Sequence, residues 1–134
     1  VGAIRNKRIL VIAMDQHAGN HGIWIDFFGQ EASTYPTAAA LALRYDVPVH
    51  IGYLHRHPNG TNEAWTTPAI ELIRTGDMDE DIRQNTILFS IKIEEIIRKY
   101  QETWMWMHRR WKERPLQIKP RNGDQPSKSM ENSE

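Results

Sequence analysis

The chain gathers most of its early reactive side chains into one loop, Met14-Asp15-Gln16-His17-Ala18-Gly19-Asn20-His21-Gly22, with Asp26 a few residues on. Imidazole and carboxylate together make a general base. The ring, with an ordinary pKa of about 6.5, takes a proton at neutral pH while the acid orients it. Asp15 is a candidate for such an orienting acid, and His21 with Asp26 is a second possible pair. The plainer role for Asp15 is a turn residue that bonds its own backbone two positions on. His17 and His21 are four apart, as zinc ligands on a helix are, but Gly19 and Gly22 oppose a helix, so no metal is assigned. His50, His55 and His57 alternate and read as a solvated strand face. Cysteine is absent, which removes disulfides, thiolate metal sites and a cysteine nucleophile.

The elements that must position these groups follow from periodicity. Residues 9–13, Ile-Leu-Val-Ile-Ala, have no polar alternation and predict a strand buried on both faces, with Asp15 at its C-terminal end. In open α/β sheets ligands bind at that end. Ile23-Trp24-Ile25 predicts a brief strand, and Gly29 a tight bend after Phe27-Phe28. Thr34-Tyr35-Pro36 opens a helix over residues 37–45, and residues 47–54 predict a strand. That strand-helix-strand order implies a parallel crossover. Asn59-Gly60 signals a hairpin into a returning strand over residues 61–72, broken at Pro68. The acidic stretch 77–81 opens a long helix. Its apolar stripe is Ile82, Thr86, Phe89, Ile93, Ile96 and Tyr100, with Arg83, Lys92, Glu95 and Lys99 facing water.

The segment Trp104-Met105-Trp106-Met107-His108-Arg109-Arg110-Trp111-Lys112 concentrates three of the five tryptophans beside basic groups. Trp104, Met107 and Trp111 have the spacing of a core-closing helix. Tryptophan with arginine is also the composition of a membrane-interface anchor, and Arg109 and Arg110 suit phosphate or lipid headgroups. At 134 residues the chain supports one core. The domain is read over residues 1–116 and a disordered tail over 117–134, where little can bury. Lys plus Arg equals Asp plus Glu at 17 each, so no overall field favours nucleic acid, and none is expected as a partner. No apolar run reaches the roughly 20 residues of a membrane span, and the first residues lack the form of a signal peptide.

Asp15-Gln16, Gly22, Phe27-Phe28-Gly29 with Ala32-Ser33-Thr34, Ala40-Leu41-Ala42, Pro48-Val49, Glu94, Ile97-Arg98, Gln101-Glu102-Thr103-Trp104 and the run from Trp106 to Pro115 form an ordered series of blocks. The series resembles the C-terminal half of the lipid A biosynthesis (lauroyl/myristoyl) acyltransferase family. The resemblance implies an α/β fold, a partial glycerolipid-acyltransferase-like mixed sheet with packing helices. It implies transfer of a fatty acyl chain from acyl carrier protein to a hydroxyl of a lipid A precursor, at the cytoplasmic face of the bacterial inner membrane. No cofactor or metal is implied.

Asp15 matches a family acid implicated in activity and is the expected catalytic residue, supporting a histidine from a neighbouring strand end. Gln16, His17, His108, Arg109 and Arg110 are the expected substrate contacts. In the family the catalytic histidine and its acid lie in a His-Phe-Gly-Asn-Trp-Glu-like block before the Asp-Gln block, following a membrane helix. Neither occurs in this sequence, so the chain is expected to be a fragment that is inactive alone. Two alternatives remain: a relocated His21/Asp26 dyad, whose spacing imitates the glycerolipid-acyltransferase His/acid signature, and a non-catalytic lipid-binding module using the Trp/Arg segment. Asp26 stands where the family commonly has proline, and Tyr35-Pro36-Thr37 where it commonly has glycine.

Overall fold

A computed structural model describes residues 2–114. In chain order these form α1 (Gly2–Arg5), a 3-10 turn (Gly19–His21), β1 (Ile23–Phe27), β2 (Gln30–Thr34), α2 (Thr37–Tyr45), β3 (Gly52–Arg56), β4 (Asn62–Thr66), α3 (Met78–Lys99) and a second 3-10 turn (Gln101–Thr103). Helices and two antiparallel hairpins mix in an α/β chain. The expected tail over 117–134 lies outside the described residues.

β1 and β2 are joined by two residues, Phe28 (φ 57) and Gly29 (φ 80). Positive φ at both positions gives the backbone twist that a two-residue hairpin needs. Glycine adopts it readily, whereas for an aromatic residue it is strained. Phe28 is held there by α3: its N–H donates to Glu94 Oε1 at 3.0 Å, and the Arg98 guanidinium lies 4.6 Å from its ring centroid. β2 was not predicted. Its Ser33 and Thr34 are fully buried, which defeats an inward-apolar pattern.

The second hairpin turns at Asn59-Gly60 as expected, with Gly60 at φ 86 and Asn59 Oδ1 accepting from the Thr61 N–H and hydroxyl. Its strands are shorter than predicted. β3 begins only at Gly52, and β4 ends at Thr66, two residues before Pro68. Beyond it, Thr67 N–H donates to Ile51 O and Ile70 N–H to Val49 O, so the chain still runs alongside the entry to β3. The parallel crossover is therefore corrected: each strand pairs with its neighbour in sequence, and α2 connects two separate hairpins.

Residues 9–13 are also corrected. They form no strand, because no described strand lies alongside to complete a ladder. Burial alternates: Ile9 and Val11 face water, while Ile12 and Met14 pack inward. That is the period of an extended chain with one covered face.

α2 occupies the predicted residues, and Ala39 and Ala42 bring its backbone close to α3. α3 starts where Asp77 accepts from the N–H groups of Asp79 and Glu80, and three acids follow in its first turn, matching the positive end of the helix dipole. Its inward stripe is rotated from the expected one. Thr86 and Phe89 are buried as predicted, but Ile97 replaces Ile96, and Asp81 and Asn85 join them. Asn85 is buried because its amide pairs with both backbone groups of Ile73 and with Asp81 O, giving a passing extended segment the bonds of a sheet edge. One core cluster forms on Met14, Ala39 and Phe89, another on Phe27, Ala32 and Ile97, and Ile93 contacts both.

Candidate active site

The Asp15 loop is built into the protein by residues distant in sequence. Ala18 N–H donates to Ser33 O at 3.1 Å, and Ser33 Oγ donates to Gly19 O at 2.7 Å, which fasten the loop to β2. Gly22 permits this approach. A Cβ there would lie 2.3 Å from Ser33 Oγ, 2.5 Å from Ala18 Cβ and 2.8 Å from the backbone nitrogen of Thr34.

The C-terminal segment closes over the loop. Trp104 Nε1 donates to Asp15 Oδ2 at 3.0 Å, and Trp111 Nε1 donates to Phe27 O at 3.0 Å. Between them Arg110 turns fully inward, at 1% exposure. Its guanidinium donates to Gln16 O at 3.1 Å, Ser33 O at 2.5 Å and Thr34 Oγ1 at 2.5 Å, and lies 4.8 Å from the Phe27 ring centroid. Only a planar fork reaches acceptors on two segments at once. The segment is not a helix, which corrects the helical spacing read from Trp104, Met107 and Trp111: the indoles and Arg110 are drawn to separate acceptors, and Met107 faces water.

Asp15, Gln16, His17, His108 and Arg110 thus converge, whereas Arg109 points to solvent. Arg110 positions the loop from inside; its bonded donors are engaged by the protein rather than presented outward. Gln16 takes part through its carbonyl, with an exposed side chain. Asp15 is half-buried, so one carboxylate oxygen is fixed by the indole while the group stays accessible. The negative charge of Asp15 favours the charged form of Arg110, although burial as the larger effect pulls its pKa below the usual arginine value.

The histidine environment is cationic. His17 is pushed below the ordinary histidine value by burial first and then by Lys112, Arg110 and His108, with the Arg110 backbone carbonyl opposing. Its ring meets Trp24 edge-on at 6.0 Å. The Nδ1 atoms of His17 and His108 are both buried with no hydrogen-bond partner among the described residues. The open ring nitrogen of His17 is suited to a hydroxyl or amide of a ligand, and any attraction for anionic groups comes from the Lys112 and Arg110 charges beside it.

The structure does not join the alternative dyad. His21 is exposed on the 3-10 turn, and Asp26 Oδ1 accepts from Gly29 N–H at 3.0 Å, closing the β1–β2 turn. Of the histidines read as a solvated face, His50 is exposed, whereas His55 and His57 are partly covered. His55 meets His57 edge-on at 4.8 Å and the Tyr100 ring at 5.2 Å, and His57 Nε2 lies 3.0 Å from Glu63, so this face docks the second hairpin on the end of α3. No group of three or more possible metal ligands occurs among the described residues.

Sequence reasoning missed Trp104, Ser33 and Thr34 as parts of the site. The block Ala32-Ser33-Thr34 was visible, but its partner lies about 77 residues away, beyond any local pattern.

A carboxylate fixed by an indole beside a buried cation, with imidazoles at its rim, is the kind of site that handles a proton on a hydroxyl substrate. Residues 1–113 match the family model described as bacterial lipid A biosynthesis acyltransferase. The chain belongs to that family, whose chemistry is acyl transfer and whose substrate is a lipid A precursor. No curated protein matches it.

Proposed function

We propose that these residues form the acid-bearing wall of an acyltransferase site that moves a fatty acyl chain from a thioester on acyl carrier protein to a hydroxyl of a lipid A precursor. The acceptor oxygen attacks the thioester carbonyl, the carbon–sulfur bond breaks, and the hydroxyl proton passes through an imidazole base to the departing sulfur. Asp15 orients that base. The observation that carries this reading is the 3.0 Å bond from Trp104 Nε1 to Asp15 Oδ2, which fixes the acid while leaving it reachable.

The base is supplied from outside these 134 residues, from a block like the one the family carries, and the isolated chain does not turn over. Gln16, His17, His108 and Arg109 contact the precursor, whose anionic groups are met by the cationic rim. The hairpins and helices are part of a glycerolipid-acyltransferase-like mixed sheet working at the cytoplasmic face of the bacterial inner membrane. In an active enzyme containing these residues, His17→Gln and His108→Gln should each raise the KM for the precursor about fivefold or more, the scale of one lost hydrogen bond, without changing the KM for acyl carrier protein. Unchanged precursor KM in both variants would contradict these contacts, and turnover by the purified 134-residue chain would contradict the external base.

A further inference from the structure

We propose that the turn at residues 105–109 is a bilayer contact that seats the Asp15 wall on an anionic lipid surface. The inference rests on the acyltransferase reading above and adds the place where the protein meets lipid. Met105, Trp106 and Met107 are 66%, 57% and 92% exposed, three consecutive large apolar side chains in water. They are presented on a braced turn. Trp106 Nε1 donates to Gln101 O at 2.7 Å, His108 N–H donates to Met105 O at 3.2 Å, and the flanking Trp104 and Arg110 are fastened inside. The turn therefore projects without collapsing onto the core, at no further ordering cost when it meets a surface.

Its chemistry selects the occupant. Exposed Arg109 follows the apolar tip, Lys112 and Arg114 lie three and five residues on, and Arg98 and Lys99 end the neighbouring helix, so exposed basic groups outnumber the exposed acids Glu102 and Glu113. Tryptophan and methionine entering the headgroup region beside arginine and lysine are the pairing that an anionic membrane surface complements. Other large apolar residues are exposed, Ile9, Leu10 and Val11 among them, but of these two runs only the 105–107 turn carries tryptophan; Trp65, 47% exposed on β4, lies two positions from Glu63 rather than beside a basic cluster. No described helix is long and apolar enough to cross a membrane, so this contact is with the surface. Trp104, the tryptophan that bonds Asp15, immediately precedes the turn, so lipid seated there brings a membrane-borne acceptor to the acid.

The test is partitioning of the full 134-residue chain, without acyl donor, onto vesicles of phosphatidylcholine containing phosphatidylglycerol. Trp106→Ser with Met107→Ser should lower partitioning about tenfold or more, and Arg109→Ala about fivefold. Raised salt should weaken binding of the wild type, and pure phosphatidylcholine should bind it less. Trp65→Ser should leave partitioning unchanged. Because the double variant can lose structure, Trp106→Phe provides the second reading: it should keep partitioning but lower tryptophan quenching by brominated lipid, the remaining signal coming from the other four tryptophans. The proposal is overturned if the wild type does not bind anionic vesicles, if the double variant binds equally, if Trp65→Ser weakens binding as much, or if quenching in Trp106→Phe is undiminished. Acyl transfer by an active enzyme containing these residues, measured in detergent micelles, reports on the acyltransferase reading separately, so either can fail alone.

Discussion

Arg109 and Arg110 are neighbours of one type with opposite surroundings, and substituting each separates a structural guanidinium from a surface one. Arg110→Ala removes the donors to Gln16 O, Ser33 O and Thr34 Oγ1 and opens a void beside Phe27. A hydrogen bond from a charged donor contributes about 1.5–3 kcal/mol. Desolvation of the guanidinium, several kcal/mol, offsets part of three such bonds, which leaves a net loss of about 3–5 kcal/mol. A small domain is stable by about 5–15 kcal/mol, so this loss threatens folding itself. Arg110→Lys keeps the charge but not the fork and should lose about half as much. Arg109→Ala should change stability by less than about 0.5 kcal/mol, because its side chain faces solvent. Urea unfolding followed by tryptophan fluorescence reads the difference. With a slope of about 2 kcal/mol per molar, Arg110→Ala lowers the midpoint by about 2 M and Arg109→Ala barely moves it. Equal midpoints for the two alanine variants would refute the inward clamp.

Three further outcomes follow from single contacts. Gly22→Ala places a Cβ against Ser33, Ala18 and the Thr34 backbone, and should destabilise by about 1–3 kcal/mol in thermal unfolding; Gly2→Ala, with open space around it, should not. Asp77→Ala removes the acceptor for two N–H groups at the start of α3 and should cost about 1 kcal/mol by the same measurement, with Asp77→Asn nearly neutral. Asp81 is held below the usual carboxylate value, chiefly by the backbone N–H of Thr75 and then by its hydroxyl. Its contribution is therefore complete above the unfolded value of about 4 and is lost as pH falls below it, so wild type should lose more melting temperature on acidification than Asp81→Asn.

The parts legible in sequence are those whose cause is local. Asp77 with three following acids announces α3, Asn59-Gly60 announces a hairpin, and small residues after Pro36 announce α2. The parts that were not legible depend on partners far along the chain. Residues 9–13 have the composition of a strand, but composition cannot say whether a strand lies beside them. Ser33 and Thr34 look like surface residues until Arg110 arrives to take their oxygens. Likewise Trp104 and Trp111 have helical spacing, yet bonds to Asp15 and Phe27 draw the segment into turns. Asp15 itself was readable as a candidate acid; the indole that fixes it was not.

That acid is where the functional account is most exposed to test. In an active enzyme containing these residues, acyl transfer from acyl carrier protein to the lipid A precursor should fall about a hundredfold or more in kcat for Asp15→Asn, the lower range for loss of acid–base function. Trp104→Phe, which keeps an aromatic ring and removes the N–H that holds Oδ2, should fall about tenfold, the scale of one hydrogen bond to a charged group. KM values should change little in both. Wild-type kcat in Asp15→Asn would contradict the central claim.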